Sequence, residues 1–341
     1  MKKWLLISGL VLLAILLGGW LMIRNWAATP YGKVDTRTAI ILKLANLNDK
    51  SGPAPTPAEM RANDEKLNEL LGGEQTPVYR VINQEIPGPA GAIPVRIYIP
   101  ENSGPLPVVL YFHGGGWVNG SLNTHDNISR KIARYGKVIV VAVDYRRAPE
   151  HPFPAPVQDC YAALQWASLH AVDFGGDGTR LGVAGDSAGG NLTAVIALMA
   201  RDRKGPKISA QVLLYPATNI ATMDTESHKN FATGYLLTRA GMERFRDLYA
   251  PNLKDRTKPE VSPLLAGDLS GLPSALVITA EFDPLRDEGE AYADRLKKSG
   301  VKTTVKRYPG LVHGFIAAPR ILPQAELATA EVGTFLQQEL K

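Results

Sequence analysis

The chain of 341 residues contains a single cysteine, Cys160. One cysteine cannot form an intrachain disulfide framework or a zinc site built from several cysteines, so both are excluded. The sequence also lacks a large excess of charge, since 38 Lys and Arg face 33 Asp and Glu, and part of the excess lies in residues 1–26, which hold Lys2, Lys3 and Arg24 and no acidic residue. Such a balanced surface offers no electrostatic footprint for nucleic acid, and we expect no nucleic-acid partner.

A long apolar run lies at the amino terminus, where Trp4 to Ile23 form 20 residues without a charge. As a helix this run would span about 30 Å, the thickness of the hydrocarbon core of a bilayer. It is longer than the apolar core of a typical secretory signal peptide, and no good cleavage site follows it. We therefore expect residues 1–26 to form a transmembrane signal anchor that holds the following domain outside the cytoplasm, on the periplasmic side in a bacterium. Cleavage as a signal peptide, followed by secretion, is the alternative.

Residues 27–80 combine helical patterns with proline breakers. Helices are predicted at Thr36–Leu47 and Pro57–Leu71, and Thr56 is placed to cap the second one. We expect this region to form a helical cap or linker that precedes the main domain.

Strand-like runs and helical patterns alternate through residues 81–341. The first two runs adjoin Pro and Gly turns and predict an antiparallel hairpin. Continuous β-branched runs such as Val138-Ile139-Val140-Val141 are typical of a buried, mostly parallel sheet with helices on both faces. Residues 217–260 interrupt the alternation and are interpreted as an insertion that adds to the cap. The strand-like runs are Val78–Ile86, Ile93–Ile99, Val108–Phe112, Val138–Val143, Leu181–Ala184, Ile208–Tyr215, Ala275–Thr279 and Val301–Tyr308. The helical patterns are Val157–His170, Ser187–Arg203, Pro284–Ser299 and Leu322–Leu340.

The sequence Gly185-Asp186-Ser187-Ala188-Gly189 has the form G-x-S-x-G and joins a strand-like run to a helical pattern. In that context the serine lies on a sharp turn that exposes its hydroxyl, and the backbone N–H of the next residue points into the same space. The glycines leave room for the turn. The alternative is a glycine-rich helix start in which Ser187 is an ordinary N-cap.

A second glycine motif, His113-Gly114-Gly115-Gly116-Trp117, follows the strand-like run Val108–Phe112. Consecutive glycines allow backbone N–H groups to approach a substrate oxygen and stabilise an oxyanion. A phosphate-binding loop is disfavoured because no Lys-Ser or Lys-Thr follows the glycines. We expect His113 to bond the loop backbone rather than to act as a base.

A nucleophilic serine needs a base and a group that orients the base. His313 is the best base, because it lies in a turn-rich loop after a strand-like run. The other candidates have no such signal and are expected to be surface or packing residues; they are His125, His151, His170 and His228.

For the orienting acid, Asp283 follows the run Ala275–Thr279. An Asp before a proline is also a good helix N-cap, and Glu281 and Asp287 are rival acids. We favour Asp283 because the order Ser187, Asp283, His313 is the order of the α/β-hydrolases.

Taken together, these motifs resemble the hormone-sensitive-lipase-like, or family IV, branch of the α/β-hydrolase fold esterases. The residues that carry the resemblance are His113-Gly114-Gly115-Gly116-Trp117, Asp144-Tyr145-Arg146-Arg147-Ala148-Pro149-Glu150, Gly185-Asp186-Ser187-Ala188-Gly189-Gly190-Asn191, Tyr215-Pro216, Asp283-Pro284-Leu285-Arg286-Asp287 and His313-Gly314-Phe315. One departure is Arg147, since the family usually has an apolar residue there. We expect it to alter local packing without a catalytic role.

The resemblance implies a serine carboxylesterase that acts on short- to medium-chain acyl esters and needs no metal or cofactor. It makes Ser187 the nucleophile, His313 the general base and acid, and Asp283 the orienting carboxylate. It implies oxyanion donors at Gly114, Gly115 and Ala188, and leaves open which two of the three loop glycines donate.

The implied partners are a small-molecule ester and, through the amino-terminal helix, a membrane. The sequence leaves open whether the chain forms a homodimer. Two other functions stay open: a peptidase of the same fold, and a catalytically inactive ligand-binding receptor.

Overall fold

A computed structural model describes residues 8, 17–47, 55–101 and 103–341 of the chain. The strands in chain order are β1 (Ala28–Thr29), β2 (Gly32–Lys33), β3 (Arg80–Gly88), β4 (Gly91–Ile99), β5 (Leu106–Phe112), β6 (Ile139–Val143), β7 (Gly176–Asp186), β8 (Ile208–Leu214), β9 (Ser274–Phe282) and β10 (Thr303–Val312). The helices are α1 (residues 17–27), α2 (Thr36–Leu47), α3 (Pro57–Leu71), α4 (Asp126–Gly136), α5 (Ala155–His170), α6 (Ala188–Asp202), α7 (Glu226–Asn230), α8 (Arg239–Tyr249), α9 (Arg286–Lys298) and α10 (Pro323–Glu339).

Within the described residues, β3 to β10 form one eight-stranded sheet in the order β10-β9-β8-β7-β5-β6-β4-β3. The β3–β4 and β4–β6 pairs are antiparallel, and every other neighbouring pair is parallel. The predicted hairpin and the mostly parallel sheet are therefore confirmed. Because parallel strands run the same way, the carboxyl ends of β5, β7, β8, β9 and β10 share one edge, where ligands bind in open α/β sheets.

Helices cover both faces of this sheet, as the buried strand sequences predict. Apolar residues of α5, α6 and α9, such as Leu164, Leu192 and Leu296, pack in the core on one face. Residues of α4 and α10, such as Ile132 and Val332, pack on the other. Burial of one such side chain stabilises the fold by about 1.5–3 kcal/mol. The sheet edge is thus held on two sides by apolar packing.

Most predicted elements appear within a few residues of their expected bounds. The helices α2 and α3 have the predicted ends, and Thr56 forms a capping box with Glu59. The helix α4 was not predicted, because Arg130, Lys131 and Arg134 leave only a narrow apolar stripe in its sequence. It also did not resolve α7 and α8, which lie inside the predicted insertion.

The prediction of a membrane anchor needs correction. Most of the apolar run lies in residues 1–7 and 9–16, outside the described residues. The described helical residues 17–27 cover roughly 16 Å, about half of the hydrocarbon thickness of a bilayer. In the described part of the chain no helix has the length and apolarity to cross a membrane. The membrane-anchored localisation is wrong on this finding.

Candidate active site

Four strands bring the predicted site residues to the same edge of the sheet. The glycine motif follows β5, Ser187 follows β7, Asp283 follows β9 and His313 follows β10 directly. Ser187 and His313, 126 positions apart in the chain, thereby come into hydrogen-bond contact.

The backbone at Ser187 has φ +55° and ψ −116°, a left-handed conformation that is unusual for a residue with a side chain. The turn is held by a hydrogen bond from the Ser187 N–H to the Leu214 carbonyl at 2.8 Å. A Cβ atom at Gly189 would lie 1.9 Å from the Phe112 carbonyl oxygen, so no side chain fits there. The Ser187 side chain makes no capping bond, which argues against the ordinary N-cap.

The three predicted side chains form a continuous chain of contacts. The Nε2 atom of His313 lies 2.9 Å from Ser187 Oγ, and its Nδ1 atom lies 2.7 Å from Asp283 Oδ2. Asp283 is fully buried, and its second oxygen accepts a hydrogen bond from the Leu285 N–H at 2.8 Å. A carboxylate on Nδ1 keeps the proton on that nitrogen, so Nε2 is the free acceptor that faces the serine hydroxyl.

The rival acids and bases lie elsewhere. Glu281 accepts a hydrogen bond from the Gly310 N–H, and Asp287 accepts one from the Ser227 N–H, each at 2.7 Å. His151 and His170 are exposed, as predicted. None of these four residues touches His313 or Ser187, so they form no alternative triad.

The hydrogen bonds of the glycine loop contradict one of the predicted oxyanion donors. The Gly114 N–H already donates to Asp186 Oδ1 at 2.9 Å, so it is not free to meet a substrate oxygen. Within the described residues, no acceptor is found for the backbone N–H groups of Gly115, Gly116 and Ala188. The prediction for His113 is confirmed, because its Nδ1 lies 2.8 Å from the carbonyl oxygen of Gly114.

A partly buried ion pair lies beneath this loop and was missed by sequence reasoning. The carboxylate of Asp186 lies 3.2 Å from His125 Nε2 and accepts a hydrogen bond from the Tyr111 hydroxyl at 2.8 Å. Burial opposes the charged form of both groups, but each charge stabilises the other, which raises the pKa of His125 and lowers the pKa of Asp186. Burial, together with the nearby His125, lowers the pKa of His113 to about 3, so its ring stays neutral.

A cavity of about 310 Å³ opens over the serine and the histidine. Its wall combines residues of α3, the glycine loop and the insertion around α7 and α8. The apolar side chains of the wall include Leu67, Leu71, Met223, Leu236, Met242 and Phe245. Such a wall suits the apolar part of an uncharged substrate.

One polar pair interrupts this wall. His228 and Glu288 are each 1% exposed, and their side chains meet at 3.1 Å. Glu288 also accepts the backbone N–H of Thr218 at 2.6 Å. Burial raises the pKa of Glu288. This pair could not be predicted from the sequence, because the two residues lie 60 positions apart and neither belongs to a glycine motif.

Known proteins share both the fold and the sequence of this region. A family model of the α/β-hydrolase fold matches residues 109–317. The carboxylic ester hydrolase LipN of Mycobacterium tuberculosis is 45% identical over 262 residues, which are 75% of this chain and 69% of that protein. The arylesterase of Saccharolobus solfataricus is 40% identical over 280 residues, 81% of this chain and 90% of that protein.

Among solved structures, the ester hydrolase EH1AB1 from the metagenome of Lake Arreo, complexed with a bipyridine phosphonate derivative, has a TM-score of 0.86 and 41% identity. The match covers 89% of this chain and 98% of that one. These similarities extend over most of the sheet and the site at its edge. The chain belongs to the α/β-hydrolase fold family, in its hormone-sensitive-lipase-like esterase branch.

Proposed function

We propose that this protein, a carboxylic ester hydrolase, cleaves short- to medium-chain acyl esters through Ser187, His313 and Asp283. The observation that carries the proposal is the Asp283–His313–Ser187 chain of contacts at 2.7 and 2.9 Å, beneath an apolar cavity. That chain is the arrangement in which a serine hydroxyl becomes a nucleophile.

In the acylation step the hydroxyl oxygen of Ser187 attacks the ester carbonyl carbon while Nε2 of His313 accepts the hydroxyl proton. Asp283 stabilises the resulting imidazolium and keeps the ring in place. His313 then gives the proton to the departing alcohol oxygen as the bond from carbon to that oxygen breaks, which leaves an acyl group on Ser187.

The negative oxygen of the tetrahedral intermediate needs hydrogen-bond donors. We assign them to the backbone N–H groups of Gly115, Gly116 and Ala188, because the Gly114 N–H is bonded to Asp186. Removal of a single donor of this kind costs about 2.7–4 kcal/mol of transition-state stabilisation in known hydrolases.

In the second half of the reaction, water replaces the alcohol. His313 takes a proton from the water as its oxygen attacks the acyl carbon, and the same proton returns to Ser187 Oγ when the acid leaves. Over the full cycle His313 accepts a proton twice, from Ser187 and then from water, and releases it twice, to the alcohol and then to Ser187.

We further propose that residues 27–80, with the insertion 217–260, form a cap on a catalytic domain of residues 81–341. Support comes from the cavity wall, which includes Leu67 of α3 and Phe245 of α8. A cavity of about 310 Å³ is at the small end for ligand sites, which favours short and medium acyl chains over long ones.

The test is the variant Ser187→Ala in the full chain, with p-nitrophenyl butyrate as substrate. Loss of the nucleophile should lower kcat at least 1,000-fold, roughly as in other serine hydrolases, while the melting temperature stays that of the wild type. An inactive wild type, or a variant that keeps its turnover, would contradict the proposal. The p-nitroanilide of the same acyl group separates an esterase from a peptidase, since only the peptidase would cleave it at a comparable rate.

A further inference from the structure

The helix α3 is attached to the rest of the protein in an unusual way, because none of its residues is buried. Surface helices are normally held by an apolar stripe. Besides Leu67 and Leu71, which line the cavity, α3 turns four polar residues with helical spacing toward the protein: Arg61, Asp64, Glu65 and Asn68. Each of them makes a hydrogen bond to residues 118–123, the segment that continues directly from the glycine loop.

Arg61 makes the most contacts. Its Nε donates to the Val118 carbonyl at 2.8 Å, and its Nη2 donates to the Ala148 carbonyl at 3.0 Å. Both terminal nitrogens also reach the carboxylate of Glu150, at 3.0 and 2.7 Å. Because Glu150 is half exposed, the ion pair itself contributes little, and the positioning of the two carbonyls is the main effect.

The backbone N–H and the backbone carbonyl of Gly120 are both hydrogen-bonded to side chains. Its N–H donates to Asp64 Oδ2 at 3.1 Å, and its carbonyl accepts a hydrogen bond from Arg147 Nη1. Gly120 has φ +82°, and a Cβ atom there would lie 2.2 Å from His113 Nδ1 and 2.3 Å from the Gly114 carbonyl oxygen. Gly120 therefore packs directly on the residues that begin the oxyanion loop.

A short turn links Gly120 to the proposed oxyanion donors. The carbonyl of Gly115 accepts hydrogen bonds from the N–H groups of Val118 and Asn119, at 3.1 and 2.8 Å. Arg61 donates to the carbonyl of Val118 in this turn, and Asp64 accepts the N–H of Gly120, which follows the turn. A displacement of α3 would thus shift the peptide planes whose N–H groups meet the oxyanion.

We propose that Arg61, Asp64 and Arg147 are positioning residues that fix the oxyanion loop by holding the segment from Val118 to Gly120. The proposal rests on the proposed esterase function and adds to it a coupling between cap docking and the rate of the chemical step. It also gives a role to Arg147, which the sequence analysis expected to affect only local packing.

Misplaced oxyanion donors weaken binding of the transition state more than binding of the ester. The variants Asp64→Ala, Arg61→Ala and Arg147→Leu should therefore lower kcat by about 10- to 100-fold with little change in KM. The variant Asp64→Asn should keep most of the activity, because its amide oxygen can still accept the Gly120 N–H. Lys66→Ala, on the exposed side of the same helix, is the matched control and should behave as wild type.

The experiment measures kcat and KM for p-nitrophenyl acetate, and the inhibition constant of an aliphatic trifluoromethyl ketone. The ketone forms a tetrahedral adduct whose oxygen needs the same donors, so its inhibition constant should rise by the same factor as kcat/KM falls.

Three results would overturn the proposal: a rise in KM alone, unchanged affinity for the ketone, or an Asp64→Asn variant as poor as Asp64→Ala. If Asp64→Ala fails to fold, the comparison of Asp64→Asn and Arg147→Leu with Lys66→Ala decides the question. An inactive wild type would refute the proposed function itself, whereas an active wild type with unaffected variants would refute only the coupling.

Discussion

The two sides of the cavity are built in opposite ways. On the sheet side, Ser187 and Asp283 follow strands that are buried between two layers of helices, and a single added methyl group at Gly189 would meet a carbonyl oxygen at 1.9 Å. On the α3 side, partly buried polar residues attach a helix that has no fully buried residue. Reacting groups need exact placement, which a packed core supplies, while a covering element must allow entry and can be held by contacts that water competes for.

On the sheet side, an added side-chain atom at the serine turn should strongly destabilise the protein. Gly189→Ala places a Cβ atom against the Phe112 carbonyl, and we expect a loss of about 3 kcal/mol or more of unfolding free energy together with all esterase activity. Gly267→Ala is the control, because its added Cβ meets nothing within 4 Å. Urea unfolding of both variants gives the comparison, and equal midpoints would contradict a tightly packed turn at Ser187.

The ion pair under the glycine loop should give the sheet side a pH-dependent stability. The pKa of His125 is raised in the folded protein. Its contribution to the free energy of unfolding is therefore complete below the ordinary histidine pKa and is lost as the pH rises through the raised pKa. The pKa of Asp186 is lowered, so its contribution is present above the ordinary value and is lost only in acid.

His125→Gln should therefore destabilise the protein most between about pH 4 and 6.5, by about 1.5–3 kcal/mol, and less at higher pH. Urea unfolding of the variant and the wild type across this range measures the difference. His170→Gln, which removes an exposed histidine, should show no such trend. A pH-independent difference for His125→Gln would mean that the pair is not charged.

On the α3 side, a destabilising substitution should have a small and local effect. Thr56→Ala removes the capping box of α3 and should cost that helix about 1 kcal/mol. Because α3 contributes no buried residue, we expect faster amide exchange within residues 57–71 and an almost unchanged global melting temperature. Thr334→Ala, at an exposed threonine of α10, is the control. A fall in global stability would show that α3 is part of the core.

The sequence predicts the sheet side better than the α3 side. Ser187, Asp283 and His313 follow apolar strand patterns, and the carboxyl ends of parallel strands meet by necessity, so their convergence could be foreseen. The hydrogen bond from Gly114 to Asp186 and the approach of His125 could not, because they depend on the exact path of a loop and leave no periodic signal.

The same limit applies to α3. Its bounds are plain from Thr56 and Pro57, yet nothing in its polar stripe distinguishes a solvated face from one that binds a loop. The same holds for Arg147: the sequence shows a charged residue in an unusual place, but not that its side chain reaches the Gly120 carbonyl.

The left-handed backbone at Ser187 has a consequence for how heat inactivates the enzyme. A free chain has no reason to hold that conformation, so the hydroxyl can be reactive only while β7, β8 and the helix after the turn are assembled around it. Loss of activity should then coincide with unfolding of the whole domain rather than precede it. Residual turnover in a heated sample would therefore be proportional to the fraction of molecules that remain native.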